Sequence, residues 1–90
     1  MDNEIYITSL AGSQIEKMPP SEQERARAAV DALRSNWENS QIVVPDSKPG
    51  GGLRAQLAGN IRLLFRYAPE QHAIIVADVA AIYERELTAA

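Results

Sequence analysis

The chain has 90 residues, no cysteine and a formal net charge of −3. This length predicts one domain, residues 1–90, with a single modest core. The lack of cysteine excludes disulfide bonds and thiolate metal sites, and the acidic balance argues against a broadly basic nucleic-acid-binding protein.

The first half of the chain predicts one short strand followed by two helices. Alternation in Glu4–Thr8 indicates a strand, and Ser9 can cap a short helix over Ser9–Lys17. After two prolines, Ser21 and Glu24 have capping-box spacing, which predicts the start of a second helix that ends near residues 37–39. The apolar stripe of this helix consists of Ala26, Ala29, Val30, Leu33 and Trp37, of which Trp37 is expected to anchor the core at the helix end.

The second half of the chain predicts a run of strands. Ile42–Val44 is either an extended crossing or a small edge strand, and the glycines that end Pro45–Gly52 predict a flexible loop. Alternating segments follow, the first two joined by a tight turn at Gly59 and Asn60. The predicted elements are strands at Leu53–Ala58, Ile61–Tyr67 and His72–Val79 and a terminal helix at Ala80–Leu87.

These elements predict an α+β fold. A short N-terminal strand is followed by a helical hairpin and then by a three-stranded antiparallel meander. The helices are expected to cover one apolar face of the sheet, as in other two-layer domains, and to leave the other face open.

The open face is expected to carry arginines. Residues 51–68 contain three arginines and no acidic residue, although the chain as a whole is acidic. The alternation predicts that Arg54 and Gln56 point outward from one strand, and that Arg62, Leu64 and Arg66 point outward from the next. Guanidinium groups bind phosphate or carboxylate bidentately, so this face could hold RNA or an acidic protein segment. In the alternative interpretation the arginines pair with acids of the chain itself, such as Asp78 or Glu84.

Other classes of site have little support in the sequence. His72 is the one histidine, and no nucleophile and carboxylate accompany it at a recognisable spacing. Without cysteine or an acidic cluster at ligand spacing, we predict no metal and no cofactor. The start has no secretory signal pattern, and no apolar run nears the roughly 20 residues of a membrane helix. The sequence therefore predicts a cytoplasmic protein without a membrane partner.

Three segments in order, GLRAQLAG, NIRLLFRY and AIIVADVA, give the chain a resemblance to a known family. Together with the helical hairpin before them, they are similar to the RelE/ParE superfamily of toxins from type II toxin–antitoxin systems. The resemblance implies a RelE-like fold, a growth-inhibiting function and a cognate antitoxin as partner.

In the ribosome-dependent RelE-like members, basic residues on the sheet hold and cleave mRNA without a metal. The resemblance therefore implies catalytic roles for Arg62 and Arg54, with Tyr83 as the candidate acid or base. The predicted outward face itself makes Arg66, Gln56 and Leu64 candidate binding residues, and Leu64 is a candidate antitoxin contact.

The sequence also departs from the family pattern near its end. Alanine and isoleucine in DVAAIYEREL fill the positions of a basic pair, Glu84 and Glu86 add negative charge, and Gln56 replaces a frequent basic residue. Two functions therefore stay open. One is a metal-independent endoribonuclease that acts with the ribosome on mRNA. The other is a non-catalytic binding module, either a ParE-like inhibitor of DNA gyrase or a member that binds only its antitoxin.

Overall fold

A computed structural model describes residues 3–82, which form two helices and one five-stranded sheet. No helix in this range is long and apolar enough to cross a membrane. The strands are β1 (Glu4–Ile7), β2 (Gln41–Pro45), β3 (Gly52–Ala58), β4 (Ile61–Ala68) and β5 (Ala73–Ala81), and the helices are α1 (Ser9–Glu16) and α2 (Pro20–Asn36). Short 3-10 turns lie at Trp37–Asn39 and Pro69–Gln71.

The helices begin differently from the sequence prediction. Thr8, rather than Ser9, caps α1, because its hydroxyl accepts a hydrogen bond of 3.2 Å from the Ala11 N–H. Helix α2 begins at Pro20 and has no side-chain cap, so the capping box predicted from Ser21 is wrong. Proline suits the first helical position because the N–H it lacks would have no partner inside the helix.

The five strands have the order β1-β5-β4-β3-β2. The β3–β4–β5 meander is antiparallel, as predicted, and β1 extends it by pairing parallel with β5. Of the two alternatives for Ile42–Val44, the structure has the edge strand, which pairs with β3 around a bulge. Ala80 and Ala81 continue β5, so the helix predicted to begin at Ala80 is wrong at its start, and residues 83–87 lie outside the described residues.

Both helices pack on one face of the sheet, which confirms the predicted α+β layering. Fully buried aliphatic and aromatic side chains of β4 and β5 meet Leu33 of α2 and Ala11 of α1. Trp37 packs against the margin of this core at the helix end, as predicted. The core consists of Ala11, Ile15, Ala26, Ala29, Val30, Leu33, Ile61, Leu63, Phe65, Ile74, Val76 and Val79.

The side chains of β3 point to the opposite faces of the sheet from those predicted. Directly paired residues of antiparallel strands share a face of the sheet. Arg54 pairs with Phe65 and Gln56 pairs with Leu63, and both partners are fully buried beneath the helices. Arg54 and Gln56 therefore point toward the helix side of the sheet. The predicted placement of Arg54 beside Arg62 on the outward face is wrong.

Candidate functional site

The face of the sheet opposite the helices, here called the open face, combines aliphatic side chains with two arginines. The strand register aligns one residue of each of the five strands in a row across this face: Tyr6, Ile75, Arg66, Leu53 and Val44. Arg62 and Arg66 are exposed there and flank the half-buried Leu64, as predicted for these three residues. The Cα atoms of Arg62 and Arg66 are about 14 Å apart, at roughly 3.4 Å per residue. The open face consists of Tyr6, Gln41, Val44, Leu53, Ala55, Leu57, Arg62, Leu64, Arg66, Ile75, Asp78 and Ala80.

Arg62 is paired with an aspartate of the neighbouring strand. A guanidinium nitrogen of Arg62 lies 3.6 Å from Asp78 Oδ2, and the two side chains are 44% and 25% exposed. Gln14 of α1 donates a hydrogen bond of 2.7 Å to the other oxygen of Asp78 and accepts one of 2.9 Å from the Val79 N–H. The glutamine thus occupies the edge of β5 beyond the end of β1 and holds the carboxylate. The sequence alternative of an Arg62–Asp78 pair is confirmed.

Arg66 is also paired with an acid, at the other end of the open face. Its guanidinium lies 3.5 Å from Asp46 Oδ2, and Asp46 Oδ1 accepts a hydrogen bond of 2.6 Å from the Lys48 N–H. A groove of about 410 Å³ here is lined by Asp46, Lys48, Arg66 and Glu70, among others. Among the described residues of this groove, two cations and two carboxylates balance, so this end of the face does not favour an anion.

Arg54 has a different environment, on the helix side. Its Nε donates a hydrogen bond of 3.0 Å to Gly50 O, and a terminal nitrogen donates one of 3.3 Å to Ser40 Oγ. The guanidinium lies 5.0 Å from the centroid of the Trp37 ring, which stacks at 3.9 Å on Tyr67. The arginine therefore fixes the loop before β3 against an aromatic stack. Sequence reasoning missed this stack, since Trp37 and Tyr67 come together only when α2 packs on β4.

A second groove, of about 480 Å³, surrounds Arg62. Its lining includes aliphatic side chains and three amide side chains, those of Asn39, Gln41 and Gln56. Gln56 also lines the groove, because the pairing of β2 with β3 stops at Ala55 and leaves the edge of β3 uncovered at Gln56. No carboxylate lines this groove within residues 3–82. Within residues 3–82 the lining is Asn39, Gln41, Ala55, Gln56, Leu57, Arg62 and Ile82, and the sequence prediction did not include Asn39 and Gln41.

The groove around Arg62 can hold negative charge, but the described residues supply no proton-transfer group in its lining. Tyr83, the predicted acid or base, lies outside the described residues. His72 is exposed in a left-handed conformation, φ 48°, just before β5 begins. Arg62 pairs with Ala80, near the other end of β5. Ala80 lies roughly 25 Å from His72 along the strand. His72 is therefore not part of the groove.

Tyr6, at the β1 edge of the open face, has a perturbed phenol. Its hydroxyl donates a hydrogen bond of 2.6 Å to Glu4 Oε2. This bond and the negative charge of Glu4 raise the pKa of Tyr6 above its usual value. The phenol therefore stays protonated at neutral pH. Within residues 3–82, no three histidine, aspartate or glutamate side chains are grouped to hold a metal ion.

Comparisons with known proteins identify the fold through solved structures and not through sequence. No protein-family model matches the sequence, and no curated protein sequence matches it significantly. The solved structures of RelE toxins do match. The toxin–antitoxin complex RelBE2 from Mycobacterium tuberculosis matches with a TM-score of 0.76 and 18% identity, over 90% of this chain and 99% of that chain. The isolated RelE toxin of E. coli gives a TM-score of 0.71 and 12% identity, over 97% and 92% of the two chains.

A third match is the archaeal RelE–RelB complex from Pyrococcus horikoshii. Its TM-score is 0.71 at 13% identity, and the match covers 93% of this chain and 99% of that chain. These proteins share few residues with this chain, yet nearly the whole length of both chains superimposes. The chain therefore has the RelE toxin fold.

Proposed function

We propose that this protein is the toxin of a toxin–antitoxin pair and that it acts on its target through the open face of the sheet. The RelE toxin fold supports the class of protein. The observation that carries the site is Arg62, an exposed cation in a groove of about 480 Å³ whose described lining holds no carboxylate. A cognate antitoxin is the expected partner, since solved relatives of this fold are complexes of RelE with RelB.

The finer form of this proposal is ribosome-dependent cleavage of mRNA. The ribose 2′-oxygen would attack the adjacent phosphorus, the bond from phosphorus to the 5′-oxygen would break, and the product would carry a cyclic phosphate. Arg62 would stabilise the negative charge that develops on the phosphate oxygens. Tyr83 is the proposed acid or base. As the phenolate it would take the proton from the 2′-hydroxyl while water protonates the departing 5′-oxygen, and as the phenol it would protonate the 5′-oxygen while water takes the proton of the 2′-hydroxyl. Arg54 has no part in this step, because it lies on the other face of the sheet.

Inducible expression in a bacterium tests both levels of the proposal. We expect growth to stop after induction, and we expect primer extension on an abundant mRNA to show new 5′ ends within its translated region. Growth arrest without new mRNA ends would support the assignment as a toxin and reject the nuclease activity. Normal growth with soluble, folded protein would reject the toxin.

A second function, a non-catalytic binding module on the same fold, is favoured by one specific observation. Both arginines of the open face are paired with aspartates, Arg62 with Asp78 and Arg66 with Asp46. The remainder of that face is largely aliphatic, which suits a protein partner such as DNA gyrase or the antitoxin. Affinity capture from bacterial lysate separates the two functions. Ribosomes with cleaved mRNA would support the nuclease, whereas gyrase or an antitoxin alone would support the binding module.

A further inference from the structure

Asp78 reaches the open face through a bulge in β5. Phe65 of β4 pairs with Val76 of β5. The next pair is Leu64 with Asp78, so Ala77 is an extra residue of β5 that has no partner on β4. Without this extra residue, the alternation of side chains would turn Asp78 toward the helices. The bulge therefore places a carboxylate on the open face.

Helix α1 fixes this carboxylate through Gln14. The side-chain amide of Gln14 donates a hydrogen bond of 2.7 Å to Asp78 Oδ1 and accepts one of 2.9 Å from the Val79 N–H. Because the two bonds go to neighbouring residues of β5, they fix both the position and the rotation of the amide. Gln14 is partly buried, and Ile15 beside it belongs to the core, so the packing of α1 anchors the amide. Asp78 Oδ1 is consequently held toward α1.

The ion pair between Arg62 and Asp78 is weaker than these two groups can form. They lie on adjacent strands of the same face, offset by two residues, which is within reach of a long side chain. A guanidinium and a carboxylate commonly form two parallel hydrogen bonds of about 2.7–2.9 Å. Here the approach to Asp78 Oδ2 is 3.6 Å, which is longer than a hydrogen bond, and the other oxygen is bound to Gln14. Gln14 thus competes with Arg62 for the carboxylate, and the side chain of Arg62 stays 44% exposed.

We propose that Gln14 is a positioning residue for Arg62. By binding Oδ1 of Asp78, it prevents a bidentate ion pair and keeps the guanidinium available on the open face. A bidentate pair would occupy two of the donors of Arg62 and offset its charge. The held carboxylate still attracts Arg62 through Oδ2, which limits the motion of a long side chain. The inference rests on the proposed function, since it takes Arg62 to act on the target.

Two substitutions separate the two hydrogen bonds of Gln14. Gln14→Met keeps an unbranched side chain that favours a helix but removes both bonds. Gln14→Glu keeps an acceptor for the Val79 N–H, removes the donor to Asp78, and repels that carboxylate toward Arg62. In crystal structures of both variants, we expect the Arg62 guanidinium to contact both oxygens of Asp78 at about 2.7–3.0 Å. A contact that stays near 3.6 Å in both variants would overturn the proposal, whatever their effect on growth.

A double-mutant cycle on growth inhibition gives the functional reading, measured as the level of soluble full-length protein that halves the growth rate. Gln14→Met should raise this level about threefold to fivefold, because the tighter ion pair must open before Arg62 can act. In an Asp78→Asn background, where no ion pair forms, the same change should alter the level by less than twofold. Asp78→Asn alone should stay as toxic as the wild type.

Two outcomes of the cycle would overturn the proposal. An equal loss from Gln14→Met in both backgrounds would show that Gln14 only supports the fold. Loss of toxicity in Asp78→Asn alone would show that Arg62 needs the carboxylate itself.

Gln23→Met is the matched control, because Gln23 is also a partly buried helical glutamine, whose amide donates a hydrogen bond of 2.9 Å to Glu16 O. It should change neither the toxic level nor the contact of Arg62 with Asp78. A loss as large as that of Gln14→Met would assign the effect to helix packing and reject the positioning role.

The crystal structures and the growth assay separate this inference from the proposed function. If the bidentate pair forms in the Gln14 variants but the wild-type protein does not stop growth, the hold of Gln14 on Asp78 stands and the toxin assignment is rejected. If the wild type stops growth but the bidentate pair does not form, the toxin assignment stands and the positioning role is rejected.

Discussion

Replacing Arg54 by alanine should destabilise the protein without removing its function. The substitution deletes two hydrogen bonds, to Gly50 O and Ser40 Oγ, and the stacking of the guanidinium on Trp37. A hydrogen bond to a charged group contributes about 1.5–3 kcal/mol when buried, and a cation–π contact about 0.5–1 kcal/mol near the surface. Because Arg54 is only half-buried, we expect a total loss of about 1–3 kcal/mol.

Urea unfolding followed by circular dichroism measures this loss directly. For a domain of this size, 1 kcal/mol corresponds to a shift of about 4–8 °C in Tm, so a thermal scan gives a second reading. Arg62→Ala is the matched control. It removes an arginine that makes one exposed ion pair of 3.6 Å, and its free energy of unfolding should change by less than about 1 kcal/mol.

A double-mutant cycle assigns the Arg54 effect to the aromatic stack. If Arg54 acts through Trp37, the loss from Arg54→Ala should be smaller in a Trp37→Leu background, with a coupling energy of about 0.5 kcal/mol or more. Two results would contradict this structural role of Arg54. One is Arg54→Ala with unchanged stability and lost toxicity, which would return Arg54 to the functional site. The other is full additivity of the two substitutions.

Three further substitutions test separate parts of the structure. Gly50→Ala should lower the free energy of unfolding by about 2 kcal/mol or more. Gly50 has a φ of 102°, and a Cβ there would collide with the Tyr67 carbonyl oxygen. Unchanged stability in urea would contradict this role of the glycine. Gly12→Ala should raise the free energy of unfolding by about 0.5–1 kcal/mol, because Gly12 lies inside α1 and alanine favours the helix. The added methyl group would meet only Ile7, at an ordinary contact distance of 3.9 Å. A lower free energy of unfolding in the same assay would show that α1 packs more closely than this. Asp78→Asn should change the free energy of unfolding by less than about 1 kcal/mol. The ion pair with Arg62 is 3.6 Å long and partly exposed, and the asparagine oxygen can still accept the hydrogen bond from Gln14. A loss of more than about 2 kcal/mol in the same assay would show that the charge of Asp78 holds the end of β5 in place.

The fold was largely predictable because its signals are local. The alternation in β4, the apolar run of β5 and the helical spacing of the apolar residues in α2 each depend on nearby residues, and each element is present in the structure. The facing of β3 was predicted wrongly, although the sequence contained the answer. A two-residue turn at Gly59 and Asn60 pairs Ala58 with Ile61, and counting back from that pair places Arg54 opposite Phe65. Because Leu64 and Arg66 were correctly expected to point outward, Phe65 between them faces the helices, and Arg54 opposite Phe65 must face them too.

The surroundings of Arg62 depend on contacts that the sequence does not reveal. The Gln14–Asp78 hydrogen bond joins residues 64 positions apart and requires α1 to dock beyond the end of β1. The amides of Asn39 and Gln41 reach the groove only because β2 joins the sheet with a register shift between Ile42 and Val44. Register at an edge strand is weakly specified by local pattern, so these residues could not be placed before the strand pairing was known.

The most direct test of the central claim compares the toxicity of two arginine variants that lie on opposite faces of β3 and β4. Colony counts after induction would be measured for the wild-type protein, Arg62→Ala and Arg54→Lys, with soluble protein levels matched. Arg54→Lys keeps a cation near Trp37, so the protein should fold and remain toxic. We expect the wild type and Arg54→Lys to stop growth and Arg62→Ala to leave growth normal. Full toxicity of a folded Arg62→Ala protein would contradict it.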